Sequence, residues 1–227
     1  MRDHVFANLW WIFHKDLIIE FRARRVWPAM LLLGVIVGVV FSLQMDLLPE
    51  QKQRMVGGLL WLAIFFAGLT ALDRSFAGER EDGCWEGLRL YPLAPTAIYL
   101  AKLASNAVAL AVLQAILIPL FFLLANLPLT AHPAELLLLA GLGNLGIAAV
   151  GTLLSALASG LGRSGTLLSI LALPMMIPVV LAAAESTRLL AEDQIGDAWW
   201  RWVQLLGAFA IVFLTAGTVL FEYAIED

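Results

Sequence analysis

Six times along this chain an apolar stretch runs long enough to cross the hydrocarbon core of a bilayer, which takes about 17–25 residues of helix. The stretches are Trp27–Leu43, Val56–Leu72, Leu103–Ala125, Glu135–Ala158, Thr166–Ala184 and Trp202–Phe221, the first two being the shortest. Unpaired peptide groups are too costly in hydrocarbon, so each stretch is predicted to be a helix. Composition points the same way. Of 227 residues, 61% are hydrophobic and 14% charged, against about 45–50% and 25% in soluble domains. With no internal repeat and no low-complexity linker, residues 1–227 read as one all-α membrane domain.

Lys and Arg set the expected orientation, because they gather in cytoplasmic flanks. One side collects Arg2, Lys15, Arg22, Arg24, Arg25, Arg74, Arg80, Arg89, Lys102 and Arg163; the other has only Lys52, Arg54, Arg188 and Arg201. Both termini are therefore expected in the cytoplasm. A net charge of −4 and the lack of any long basic block argue against nucleic acid. Cys84 is the one cysteine, so no internal disulfide can form. No small-residue cleavage site closely follows the first apolar run, so a removable signal peptide is not expected.

Before the first span, Phe6, Leu9, Trp10, Phe13, Leu17 and Phe21 recur at helical spacing, with Asn8, Lys15 and Arg22 opposite. This predicts an amphipathic helix over residues 1–25, lying in the membrane surface. Glu20 and Arg24 sit close to the apolar stripe and blur it. The helix is either a plain anchor or an elbow that passes motion into the first span. Trp27, Trp61, Trp199, Trp200 and Trp202 are placed near span ends, where indoles anchor to headgroups. An aromatic ligand shelf is the alternative for Trp199, Trp200 and Trp202.

Within the spans, Asn106, Gln114 and Asn144 put amides at membrane depth. Such groups bond between helices or line a polar path. Span four carries small residues at helical spacing (Asn144, Ala148, Gly151, Ser155, Ala158, Ser159, Gly162), which let two backbones approach closely. Pro174 and Pro178 remove backbone hydrogen bonds inside span five, making it either a hinge or a fixed bend. The segment Ser186–Arg201 is expected outside the membrane and is net acidic. His132, in the short loop beside Pro133, is a candidate axial haem ligand against the plainer reading of a surface histidine.

The loop between spans two and three carries the most information. From Asp73 to Pro92 charges of both signs interleave, yet Trp85 and Leu88 stand among them. A solvated loop needs no such residues, whereas a docking surface uses large apolar anchors ringed by polar groups. A short helix is predicted over 75–91, with Cys84, Leu88 and Tyr91 along one apolar edge; Pro92 and Pro95 end it.

The pattern Arg74-Ser75-Phe76, Glu79-Arg80-Glu81-Asp82-Gly83, Glu86-Gly87-Leu88, Pro92, Ile98-Tyr99 and Lys102 resembles the cytoplasmic loop of ABC-2-type permeases. More narrowly it resembles the CcmB family, the haem exporter protein B family of cytochrome c maturation. The likeness extends over nearly the whole chain, through Lys15-Asp16, Glu20 and Arg24, Pro119, and Leu173-Pro174 with Pro178. It implies an ABC-2-type exporter fold whose coupling helix docks on a separate ATPase. Glu79, Arg80, Glu81, Asp82, Trp85, Glu86, Leu88 and Tyr91 would make that contact.

The resemblance further implies a CcmA-like ATPase subunit, a second copy of this chain, a CcmC-like haem-handling subunit, a small CcmD-like subunit and a CcmE-like haem chaperone. The implied place is the bacterial inner membrane. Haem would be handled by the complex, and ATP and Mg bound by the partner, with no cofactor on this chain alone. Consistent with that, no Gly-x-x-x-x-Gly-Lys-Ser/Thr loop occurs in the sequence. An intramembrane protease is disfavoured: the spans hold no His-Glu-x-x-His, no Gly-x-Ser-x-Gly and no paired carboxylates. A generic exporter subunit for another hydrophobic substrate and a non-transporting scaffold remain open.

Overall fold

The structure is a computed structural model that describes residues 14, 26–44, 49–81, 95–128, 131–160 and 166–226. The described residues form six helices: α1 (Val26–Gln44), α2 (Pro49–Glu81), α3 (Pro95–Leu124), α4 (Pro133–Gly160), α5 (Thr166–Ala191) and α6 (Asp197–Glu226). Proline opens α2, α3 and α4, where its missing N–H has no helical partner to lose and its fixed φ suits the first turn. Five helices contain a stretch long and apolar enough to span a membrane; α1 contributes the shorter apolar run Leu31–Val40. The surface segment predicted over 1–25 lies outside the described residues apart from His14.

Helices α3 and α5 end alike. Asn126 and Asp193 both adopt φ 57°, a left-handed conformation that short polar side chains tolerate better than most. Leu127 N–H then reaches back to Phe122 C=O at 2.9 Å, and Gln194 N–H to Leu189 C=O at 2.8 Å. Each end is a Schellman turn that satisfies carbonyls the helix would otherwise leave bare.

Helix α4 is the hub, packing against α2, α3, α5 and α6, whereas α1 lies against α2 and α3. Close packing comes from missing side chains. A Cβ on Gly143 would lie 2.2 Å from the Trp61 ring, and one on Gly57 would lie 2.3 Å from the carbonyl oxygen of Ala184. Small residues are what allow helices to approach in lipid, where no hydrophobic force drives them together.

Three expectations are corrected. Trp61 is not an interfacial anchor: it lies within the span Gln51–Thr70, is 1% exposed, and donates its Nε1–H to Thr187 Oγ1 at 2.9 Å. The second span belongs to a long helix of 33 residues, because the charged flanks on either side continue the helix rather than ending it. Nor does α5 end near Glu185, where the apolar run does: the helix continues to Ala191. Ser186 and Thr187 are buried and donate to the carbonyls of Ala182 and Ala183, each at 2.8 Å. Hydroxyls satisfied by their own helix's carbonyls are compatible with continued helix, which runs on to Ala191.

Candidate functional site

Glu79, Arg80 and Glu81 fall in the last turn of α2, which continues without a break through Ser75. The separate short helix predicted to begin at Ser75 therefore starts, over its described part, as the extension of span two. Asp82, Trp85, Glu86, Leu88 and Tyr91 lie outside the described residues. The next described helix is α3, beginning at Pro95.

The intramembrane amides lie along one seam between α3 and α4. Asn106 Nδ2 donates to Thr152 Oγ1 at 2.8 Å. Asn144 Nδ2 donates to Ala107 C=O at 3.0 Å and to Gln114 Oε1 at 3.1 Å. The order of the pairs, 106 against 152 and 114 against 144, shows the two helices antiparallel. All of these side chains are buried. Gln114 Nε2 is a buried donor without a partner. Thr152 was not singled out from sequence, since a threonine in a span reads the same whether it bonds its own backbone or a neighbour.

Pro174 is exposed and Pro178 half-buried, and α5 continues as helix through both. Of the tryptophans at the start of α6, Trp199 is fully buried against Leu189 and Val203, while Trp200 is half-exposed and meets it edge-on with ring centroids 5.0 Å apart.

The end of the bundle away from Glu81 carries charge. Arg188 Nε donates to Glu185 Oε2 at 3.0 Å, and its terminal nitrogens reach Glu185 and Glu192. Arg54 of α2 stands 3.7 Å from Glu192. His132 Nε2 lies 2.6 Å from Asp193 Oδ1, tying the α3–α4 turn to the α5–α6 turn. Beneath that pair is a cavity of about 180 Å³, lined by Phe122, Leu127, Pro128, Leu136 and Leu190 among others. It falls below the roughly 300–1,000 Å³ of ordinary small-molecule sites. Among the described residues no cluster of three or more His, Cys, Asp or Glu could hold a metal ion.

Comparison with known proteins covers nearly the whole chain. A family model described as CcmB protein matches residues 7–227. Heme exporter protein B of Rhodobacter capsulatus is 36% identical over 63% of this chain, a stretch covering 65% of that protein, slightly under two thirds. Heme exporter protein B of Pseudomonas aeruginosa is 31% identical over 72% of this chain and 74% of its own. The protein of the same name from Escherichia coli K12 is 34% identical over 77% of this chain and 79% of its own. Together with the span-capable helices, these matches make the chain a multi-pass membrane protein, and it belongs to the CcmB protein family.

Proposed function

We propose that this chain is the membrane permease subunit of an ABC transporter for cytochrome c maturation, serving haem export or the release of a haem-loaded chaperone. The observation that carries the reading is the family match over residues 7–227, joined to a charged, Trp-bearing segment set between α2 and α3. In this reading α1 is the sixth span, residues 1–25 form a surface elbow, and both chain ends face the cytoplasm of the inner membrane. Residues 79–91 dock on a separate CcmA-like ATPase, which binds ATP and Mg. This chain performs no catalysis itself. A second copy of the chain and CcmC-like, CcmD-like and CcmE-like partners complete the assembly.

Triple charge reversal, Glu79→Lys with Arg80→Glu and Glu86→Lys, tests the docking role. Pull-down of the ATPase subunit by the purified chain in detergent should fall sharply, because reversed charges at a contact repel and leave partner charges unpaired. Capture equal to wild type contradicts the docking role.

One observation favours a second reading. The amides of Asn106 and Asn144 bond across the α3–α4 seam instead of facing an open path, as expected of a scaffold that relays shape change without moving a substrate. Uptake of haem into vesicles carrying the whole complex separates the two: ATP-dependent uptake supports the permease, and none supports the scaffold.

A further inference from the structure

Three helix ends enclose the cavity of about 180 Å³ beneath His132 and Asp193. Phe122 and Leu127 line it from the end of α3, Leu136 from the first turn of α4, and Leu190 from the last turn of α5. Leu127 and Asp193 reach it because both helices stop in left-handed turns that fold the chain back over the last carbonyls. Phe122 and Leu190 are buried and give the cavity its apolar depth. Its polar edge is His132 Nε2, 2.6 Å from Asp193 Oδ1. The Asp193 side chain is 82% exposed, so the second carboxylate oxygen stands open to an incoming donor.

Size and lining narrow the occupant. A dry apolar cavity of about 150 Å³ takes one benzene ring, so this one suits a single aromatic side chain. Tyrosine fits the chemistry: its ring packs on Phe122 and the leucines, and its O–H reaches a polar partner at the edge. The surroundings add a sign. Residues 49–54, 126–128, 131–135 and 185–201 together carry six carboxylates against four Lys or Arg side chains. Of those cations, Arg188 is held by Glu185 and Glu192, and Arg54 stands beside Glu192. A phospholipid would bring its phosphate to this acidic edge, whereas a basic segment is attracted to it.

We propose that the cavity is a docking pocket for one tyrosine side chain, flanked by Lys or Arg, on a partner protein that meets the bundle at the end away from Glu81. The ring is the anchor and its basic neighbours read the edge, the usual form of a binding hot spot. The pocket lies at the opposite end from residues 79–91 and does not depend on their docking role.

The purified chain in phosphatidylcholine nanodiscs tests it, with empty discs as the blank. Fluorine NMR follows a blocked Lys-fluorotyrosine-Arg peptide as unlabelled peptides displace it. Lys-Tyr-Arg should compete about tenfold or more better than Lys-Ala-Arg, as burial of one large side chain gives. It should also outcompete Glu-Tyr-Glu, which the edge repels. Ala191→Trp fills the cavity and should abolish binding. Should that variant fail to fold, Asp193→Asn keeps a side chain at ease in the left-handed turn. It should erase the preference for Lys-Tyr-Arg over Glu-Tyr-Glu and keep that for Tyr over Ala. No binding, equal competition by Lys-Ala-Arg, or binding unaltered in Ala191→Trp overturns the pocket. Equal competition by Glu-Tyr-Glu on the wild-type chain overturns the basic partner. Phospholipid that copurifies with the wild-type chain and not with Ala191→Trp would assign the cavity to lipid instead. Tighter peptide binding in Leu129→Ala would assign it to the chain's own Leu129, which lies outside the described residues; either result overturns the proposal.

Discussion

Helices α4 and α6 are near twins in sequence terms and opposites in the fold. Their spans, Pro133–Leu157 and Asp197–Phe221, are each 25 residues long, with mean hydropathies of 1.9 and 2.1. Yet over an 18-residue apolar stretch of each, 61% of the first is buried inside the protein and only 22% of the second. What separates them is side-chain size and polarity. Helix α4 offers Gly143, Asn144, Ala148, Gly151, Thr152 and Ser155 to its neighbours, whereas α6 turns Leu205, Ile211, Val212, Val219 and Leu220 outward. In water, hydropathy sorts inside from outside. In lipid both sides are apolar, so close approach and interhelical hydrogen bonds do the sorting.

The largest predicted effect breaks the close approach. Gly143→Leu drives a side chain into the Trp61 ring and should destabilise the bundle by about 3 kcal/mol or more, the upper range of overpacking. Unfolding in mixed micelles by denaturant would read it, and a neutral result would mean that α4 is not packed on α2 as described.

An intermediate effect comes from the seam. Asn106→Leu removes the bond to Thr152 and should cost about 1 kcal/mol, within the range measured for interhelical bonds in membranes. A double-mutant cycle with Thr152→Val isolates the pair; a coupling of zero would show that the bond adds nothing. The smallest effect belongs to α6. Ile211→Ala, at a position 62% exposed, should stay within about 0.5 kcal/mol, as surface substitutions do. A markedly larger loss in the assembled complex than in the single chain would reveal a protein, not lipid, against that face.

Much of this fold was legible because a bilayer imposes length and backbone satisfaction on any span. The helices around Leu103–Ala125, Glu135–Ala158 and Trp202–Phe221 stand where the apolar runs put them. Their ends were harder to read. Apolar length does not show that α2 continues to Glu81 or α5 to Ala191, since charged flanks, Ser186 and Thr187 suit a helix as well as a loop. Trp61 was misplaced for a related reason: an indole anchors at an interface or bonds in a core, and only the threonine opposite decides. The amides at 106, 114 and 144 were visible as polar atoms at depth, but their partner Thr152 was not. The seat of Tyr99 is hidden in sequence too, because the space it fills is left by Gly217, far along the chain.

The proposed docking of residues 79–91 on a cytoplasmic ATPase carries the functional account, and native Cys84 sits within them. Labelling it with a membrane-impermeant maleimide in oriented vesicles tests side and contact together. The account predicts reaction in inside-out vesicles alone, and protection once the ATPase subunit is bound. Labelling from the opposite face, or a rate the ATPase leaves unchanged, would contradict it.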